Sequence, residues 1–180
     1  MRVLGIDPGL TRLGYGCVHQ DGRKQTARSA GVIRTSPKQP VAERLAELQY
    51  EVRELIAEQR PDVVAIERVL FQVNVRTAMA VGQSSGVVMA EAVNAGCRVL
   101  EYSPNEIKLA VAGWGGADKH QIEQMVRTLL DIKVPLKPVD AADALAVALC
   151  HLAQAPTAAA LERVVARSTL SDEKPGKITS

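Results

Sequence analysis

Arg2-Val3-Leu4-Gly5-Ile6-Asp7-Pro8-Gly9 opens the chain with a short apolar run that ends on an acid and a turn pair. A run of this length stopped by Pro-Gly predicts a buried strand over Arg2–Asp7. Leu13–His19 follows after a short glycine-bearing loop, a length that favours an antiparallel hairpin. Asp21-Gly22 turns the chain again, and Ala27–Thr35 supplies a third strand. In the first strand Val3, Gly5 and Asp7 share one face and Leu4 and Ile6 the other.

Beyond this meander the pattern alternates. Val41, Leu45, Leu48, Val52, Leu55 and Ile56 recur with helical period, which predicts a helix over Val41–Gln59 closed by Pro61. Asp62–Glu67 reads as a fourth strand and residues 68–74 as a loop. Val75–Asn94 reads as a helix rich in small residues, and Arg98–Tyr102 as a fifth strand. Ser103 caps a short helix from Pro104, and Asp118 caps another to about Leu130. Asp140–Gln154 is the last core helix; Thr157–Arg167 is a weakly docked helical candidate, and Ser168–Ser180 reads as disordered. The expectation is an α/β fold, a mixed five-stranded sheet with helices on both faces. Residues 1–156 would form one domain and 157–180 a C-terminal extension.

The whole chain narrows the class. Its 180 residues suffice for one domain with a proper core. Apolar content of 47% and a charged fraction of 23% are those of an ordinary globule. A net charge of +2 announces no global polybasic character, although a local stripe can still face a polyanion. Cys17, Cys97 and Cys150 are widely spaced with no CxxC pair, which disfavours zinc or a disulfide framework and suits a reducing cytoplasm. Asp7 and Pro8 come too early for a signal peptide, and no apolar run approaches the length of a membrane span.

Four acids stand out. Asp7 and Glu67 end predicted strands; Asp140 and Asp143 open the last helix, one turn apart on the same face. Acids at the ends of buried strands are costly unless paired or bound to a cation. Each has an ordinary alternative: an Asp-Pro-Gly turn, an exposed strand end, a pair of helix-start acids favouring the macrodipole. Converging, they would form a hard-oxygen site suited to Mg²⁺ or Mn²⁺.

The order and spacing of these pieces resemble the RuvC family of bacterial Holliday junction resolvases. Arg2–Arg12 resembles the family's first-strand motif, and Ile66-Glu-Arg-Val69 its second acidic motif. Ser103-Pro104, Lys108, Gly116-Ala-Asp-Lys119 and Met125–Leu130 resemble its basic segment, and Asp140-Ala-Ala-Asp-Ala-Leu-Ala146 its acidic helix. The resemblance runs from residue 1 to about 156. It implies a ribonuclease H-like fold, a homodimer and paired symmetric nicks in four-way junction DNA during recombination and repair. It also implies work alongside the RuvA–RuvB branch-migration complex. Asp7, Glu67, Asp140 and Asp143 fall on the family's catalytic, metal-holding acids, and Lys108 and Lys119 on its basic residues. The family commonly carries an aromatic residue three positions after the second acid; here that position is Leu70, with Phe71 next, and the residues leave open which takes the role.

Phosphodiester hydrolysis must activate a water and stabilise a departing 3′-oxyanion, and two Mg²⁺ ions about 4 Å apart can do both, with Mn²⁺ able to substitute. In this reading Asp7 bridges, Glu67 and Asp143 hold one ion and Asp140 the other. Lys119 beside a glycine loop, Lys108, Arg68 and Arg76 are candidate phosphate contacts, and Phe71 and Trp114 candidate stacking groups. Helix 75–94 is the candidate dimer seam. The competing readings are ribonuclease H-type cleavage of RNA–DNA hybrids, a junction-binding protein without catalysis, and a sugar-kinase-like ATPase. The last needs two such domains, and no GxxxxGK[ST] loop is present.

Overall fold

The computed structural model describes residues 1–68 and 75–172. Five strands form one mixed sheet: β1 (Arg2–Asp7), β2 (Arg12–Asp21), β3 (Lys24–Arg34), β4 (Val63–Glu67) and β5 (Arg98–Tyr102). Their order across the sheet is β3-β2-β1-β4-β5. β1 is therefore central, antiparallel to β2 and parallel to β4, and β4 is parallel to β5. Parallel neighbours end at the same edge, which brings Asp7 and Glu67 together.

The alternation of β1 divides the core as its pleat dictates. Leu4 and Ile6 face α1 (Val41–Gln59) and α2 (Val75–Asn94), in a cluster with Leu13, Leu48, Val52, Val64, Ile66 and Val88. Val3 faces the other layer, built from α3 (Pro104–Ala112), α4 (Lys119–Leu129) and α5 (Val139–Asp172). Helices on both faces of a mixed sheet are the arrangement expected from the sequence. β2 and β3 run longer than the periodicity suggested, because their outer turn carries polar residues that a sheet edge tolerates.

Glycines set how closely α5 lies on the sheet. A Cβ on Gly5 would overlap the backbone carbonyl of Ala144, and one on Gly14 the carbonyl of Asp140. Gly14 pairs with Asp7 across the ladder, so the start of α5 is seated directly beside the end of β1. Behind this contact the Tyr102 hydroxyl and His151 Nδ1 share a hydrogen bond of 2.7 Å, tying β5 to α5. Burial holds that imidazole neutral and the phenol protonated, its pKa pushed up to about 12.

One expectation fails in α5. In place of a core helix over Asp140–Gln154, a separate weakly docked stretch over Thr157–Arg167 and disorder from Ser168, one helix runs from Val139 to Asp172. The intervening sequence, rich in Ala, Leu, Arg and Glu, has the propensity to carry the helix past a single proline. Residues 173–180 lie outside the described residues.

Candidate active site

Asp7, Glu67 and Asp143 line one cleft of about 620 Å³ at the carboxyl edge of β1 and β4. The opposite wall comes from α3 and α4: Pro104, Ile107 and Lys108, then Ala117, Asp118 and Lys119. Two capping boxes fix that wall. Ser103 caps α3 and exchanges hydrogen bonds with Glu106; Asp118 caps α4 and exchanges them with Gln121. Lys119, the residue after the second cap, is thereby aimed across the cleft, where Nζ donates to Asp143 Oδ2 at 3.0 Å.

The acids feel one another. Asp7 is raised from its ordinary value to about 7, by burial first and then by the charges of Glu67 and Asp143, with Lys119 opposing. Asp140 adds a smaller push in the same direction. Glu67 is also raised, by burial and then Asp143, against Lys119 and Lys108. Lys119 is itself raised by its hydrogen bond and charge contact with Asp143. Such a field is what a proton or a cation relieves.

Asp140 stands at the side of the cleft, where Arg12 donates to its Oδ2 from both Nε and Nη2. Sequence reasoning quoted Arg12 within a motif and assigned it no role. Arg12 is in turn placed by the β1–β2 loop, which a small network braces. Arg44 donates from Nε to Thr35 Oγ1 at 2.9 Å and from Nη2 to Thr11 Oγ1 at 2.7 Å, and the Thr35 hydroxyl donates to Leu10 O. Buried Arg44 also went unread, since an arginine on a helix face ordinarily points to solvent. Arg76 lies beside this loop, in a neighbouring hollow with Gly9, Thr11, Arg12 and Arg44. Leu70 and Phe71 lie outside the described residues.

Among the described residues no three acidic, histidine or cysteine side chains already stand in a metal-ligating arrangement. Two of the four acids are instead held by cationic side chains, Asp143 by Lys119 and Asp140 by Arg12. The donor set is nonetheless all carboxylate oxygen, with Asp7 buried beside the charges of Glu67 and Asp143, which fits a hard divalent ion.

A mixed five-stranded sheet with a carboxylate cluster at the end of its central strand defines a ribonuclease H-like nuclease. Comparison with known proteins narrows this further. The family described as crossover junction endodeoxyribonuclease RuvC matches residues 3–151. The crossover junction endodeoxyribonuclease RuvC of Streptomyces avermitilis is 47% identical over 167 residues, covering 92% of this chain and 95% of that protein. RuvC from Thermus thermophilus has a similar structure, with a TM-score of 0.82, 38% identity, and coverage of 88% of this chain and 97% of that one. The T. thermophilus RuvC structure in complex with Holliday junction substrate superposes with a TM-score of 0.83 at 38% identity, covering 88% and 96%. The chain belongs to the RuvC family of crossover junction endodeoxyribonucleases, which are metal-dependent nucleases.

Proposed function

We propose that this protein resolves Holliday junctions by paired symmetric nicks, with Asp7, Glu67, Asp140 and Asp143 as its catalytic and metal-holding acids. The observation that carries this is the meeting of Asp7, Glu67 and Asp143 in one cleft with Lys108 and Lys119 on its far wall. The acids suit Mg²⁺, two ions per subunit, with Mn²⁺ as a substitute. When bound, the ions supply Lewis-acid activation of the attacking water and charge neutralisation at the leaving 3′-oxygen. Asp7, Glu67 and Asp143, grouped in the cleft, and Asp140, beside Arg12, would be the residues that hold the ions.

The remaining residues act on the DNA. Lys108 and Lys119 draw a backbone phosphate into the cleft, where the free N–H groups at the start of α4 add to the attraction. Arg76 and Arg12 extend the cationic lining on the other side of the β1–β2 loop. Phe71 or Leu70 takes the position next to the crossover.

A four-way junction with two-fold symmetry suits a homodimer. The outer face of α2 supports that assembly. Val75, Met79 and Val93 are 74%, 62% and 63% exposed, and with Gly82, Gly86 and Ala90 they form a stripe at intervals of three and four. No charged residue interrupts it, and the glycines let a second helix approach closely. Residues 1–156 form the nuclease domain in this reading, with 157–180 an extension. No helix among the described residues is long and apolar enough to cross a membrane. A cytoplasmic place alongside the RuvA–RuvB complex follows from the family.

The test is cleavage of a mobile four-way DNA junction with Mg²⁺ or Mn²⁺, wild type against Asp7→Asn, with linear duplex and RNA–DNA hybrid as controls. Ligatable symmetric nicks on the junction alone, lost in the variant, are expected. Cutting of the hybrid with the junction intact would replace this reading with a ribonuclease one. Junction binding without cutting would leave a binding protein.

A further inference from the structure

Trp114 is the only tryptophan of the chain, and it is 53% exposed. It occupies the glycine loop between α3 and α4. Gly113, at φ +80°, ends α3 with its N–H on Leu109 O. The indole lies against Gly116 so closely that a Cβ there would overlap the ring. A Cβ on Gly115 would likewise overlap the Asn105 side chain. The two glycines thus hold the loop down while the ring stays on top of it. A loop anchor would bury its indole in the core; this one presents it to solvent, where its face is open to stacking.

The surroundings select the occupant. Residue 117 returns to the core, and Ala117, Asp118 and Lys119 line the acidic cleft. Lys108, on the helix that ends at this loop, lines it too. An aromatic face on the loop that joins the two segments carrying cleft-lining Lys108 and Lys119 matches a ligand that is anionic and carries π faces, which is a nucleic-acid strand.

We propose that Trp114 stacks on an unstacked base of the DNA strand whose phosphate enters the cleft, a contact that fixes the strand's path along the α3–α4 wall. The proposal rests on the junction-nuclease reading and adds a base-stacking residue to it. The stack is tolerant of base identity, since every base has a π face, so it sets position rather than sequence.

The ring reports on itself. Asp7→Asn protein is titrated with a four-way junction without added metal, and tryptophan emission is followed beside the anisotropy of labelled DNA. Emission should change saturably with the same midpoint as the anisotropy. Trp114→Ala should weaken junction binding about tenfold, while Trp114→Phe, which keeps a stacking face, should retain most of the affinity. Equal thermal midpoints for the three proteins are expected because the ring is half exposed. Full anisotropy binding with unchanged emission, or wild-type affinity in Trp114→Ala, would overturn the proposal and leave the nuclease reading standing. A change in emission that follows protein concentration without DNA would assign the ring to a protein contact and also overturn it. Absence of junction binding in the anisotropy would overturn the nuclease reading, and this one with it.

Discussion

Arg12 holds Asp140 with two donors, Nε and Nη2, both on the same carboxylate oxygen, across 128 residues of sequence. The first residue of β2 thus grips the first acid of the last helix. Lys119 does the same for Asp143 from α4. Two of the four proposed metal-holding acids are thus already attended by a positive side chain, so an ion entering beside them would exchange partners.

Loss of one partner should therefore favour the ion. Arg12 and Asp140 are partly exposed, which limits such a pair to about 1 kcal/mol. Arg12→Gln should then bind Mn²⁺ up to about fivefold more tightly, read by calorimetry in the absence of DNA. Unchanged or weaker affinity would mean that Asp140 does not leave Arg12 when the ion enters.

Asp7 should make the metal-free protein less stable as pH rises. Its carboxyl is raised from an ordinary value of 3.8 to about 7. Below about pH 4 the group is protonated whether the chain is folded or not, and its contribution is fully favourable. Between there and about pH 7 the unfolded chain has lost a proton that the folded chain keeps, so stability falls across that window. Glu67 is raised as well and acts with the same sign. Asp7→Asn should recover about 2 kcal/mol at pH 8, a figure below the full shift because water reaches this half-buried group, and nothing at pH 3.5. Urea titrations at the two pH values check this, and a variant no more stable than wild type at pH 8 would contradict it. Saturating Mg²⁺ should erase the difference in favour of the wild type.

Much of this site was legible before the structure. Asp7 and Glu67 each end an apolar run, and parallel strands with adjacent ends must bring such residues together. Ser103 and Asp118 announced their helices by cap chemistry alone, and both boxes are formed. What could not be read was contact at long range. Nothing local to Arg12 points to Asp140, and nothing in a helix-face arginine announces that Arg44 is buried on two threonine hydroxyls. The length of α5 is the opposite case: the sequence beyond Gln154 loses its apolar period, yet its helix formers continue the helix to Asp172.

Lys119 should contribute one phosphate contact to DNA binding. Lys119→Met should lower the slope of log affinity against log salt by about 1, and weaken junction binding at low salt more than at high salt. Its loss also removes the cation that opposes the raised pKa of both Asp7 and Glu67. Fluorescence anisotropy across a salt series checks the slope; an unaltered slope would return Lys119 to a purely internal partner of Asp143.

Far from the cleft, Glu91 should matter for folding and not for cutting. It is 4% exposed and accepts hydrogen bonds from Arg53 Nε at 2.9 Å and Gln49 Nε2 at 2.6 Å, which tie α2 to α1. The Arg53 and Gln49 bonds hold its carboxyl down at about 2. Stability from this contact is present above its ordinary value of 4.5 and is lost as pH falls toward 2. Glu91→Ala should cost about 2 kcal/mol at pH 7 and much less near pH 2, with turnover per folded molecule unchanged. Equal destabilisation at both pH values would show that lost packing, and not the charged contact, is the cause.

The glycines under α5 give this enzyme an uneven tolerance to sequence drift. The helix is indexed on the sheet by backbone meeting backbone at Gly5 and Gly14, so the heights of Asp140 and Asp143 above Asp7 depend on where side chains are missing. Apolar residues on the buried face of α5 can trade methyl groups with their neighbours, at a cost in stability, while the acids keep their level. A single methyl group added beneath the helix lifts both acids at once. The filling of this core can be rewritten far more freely than these two bare positions.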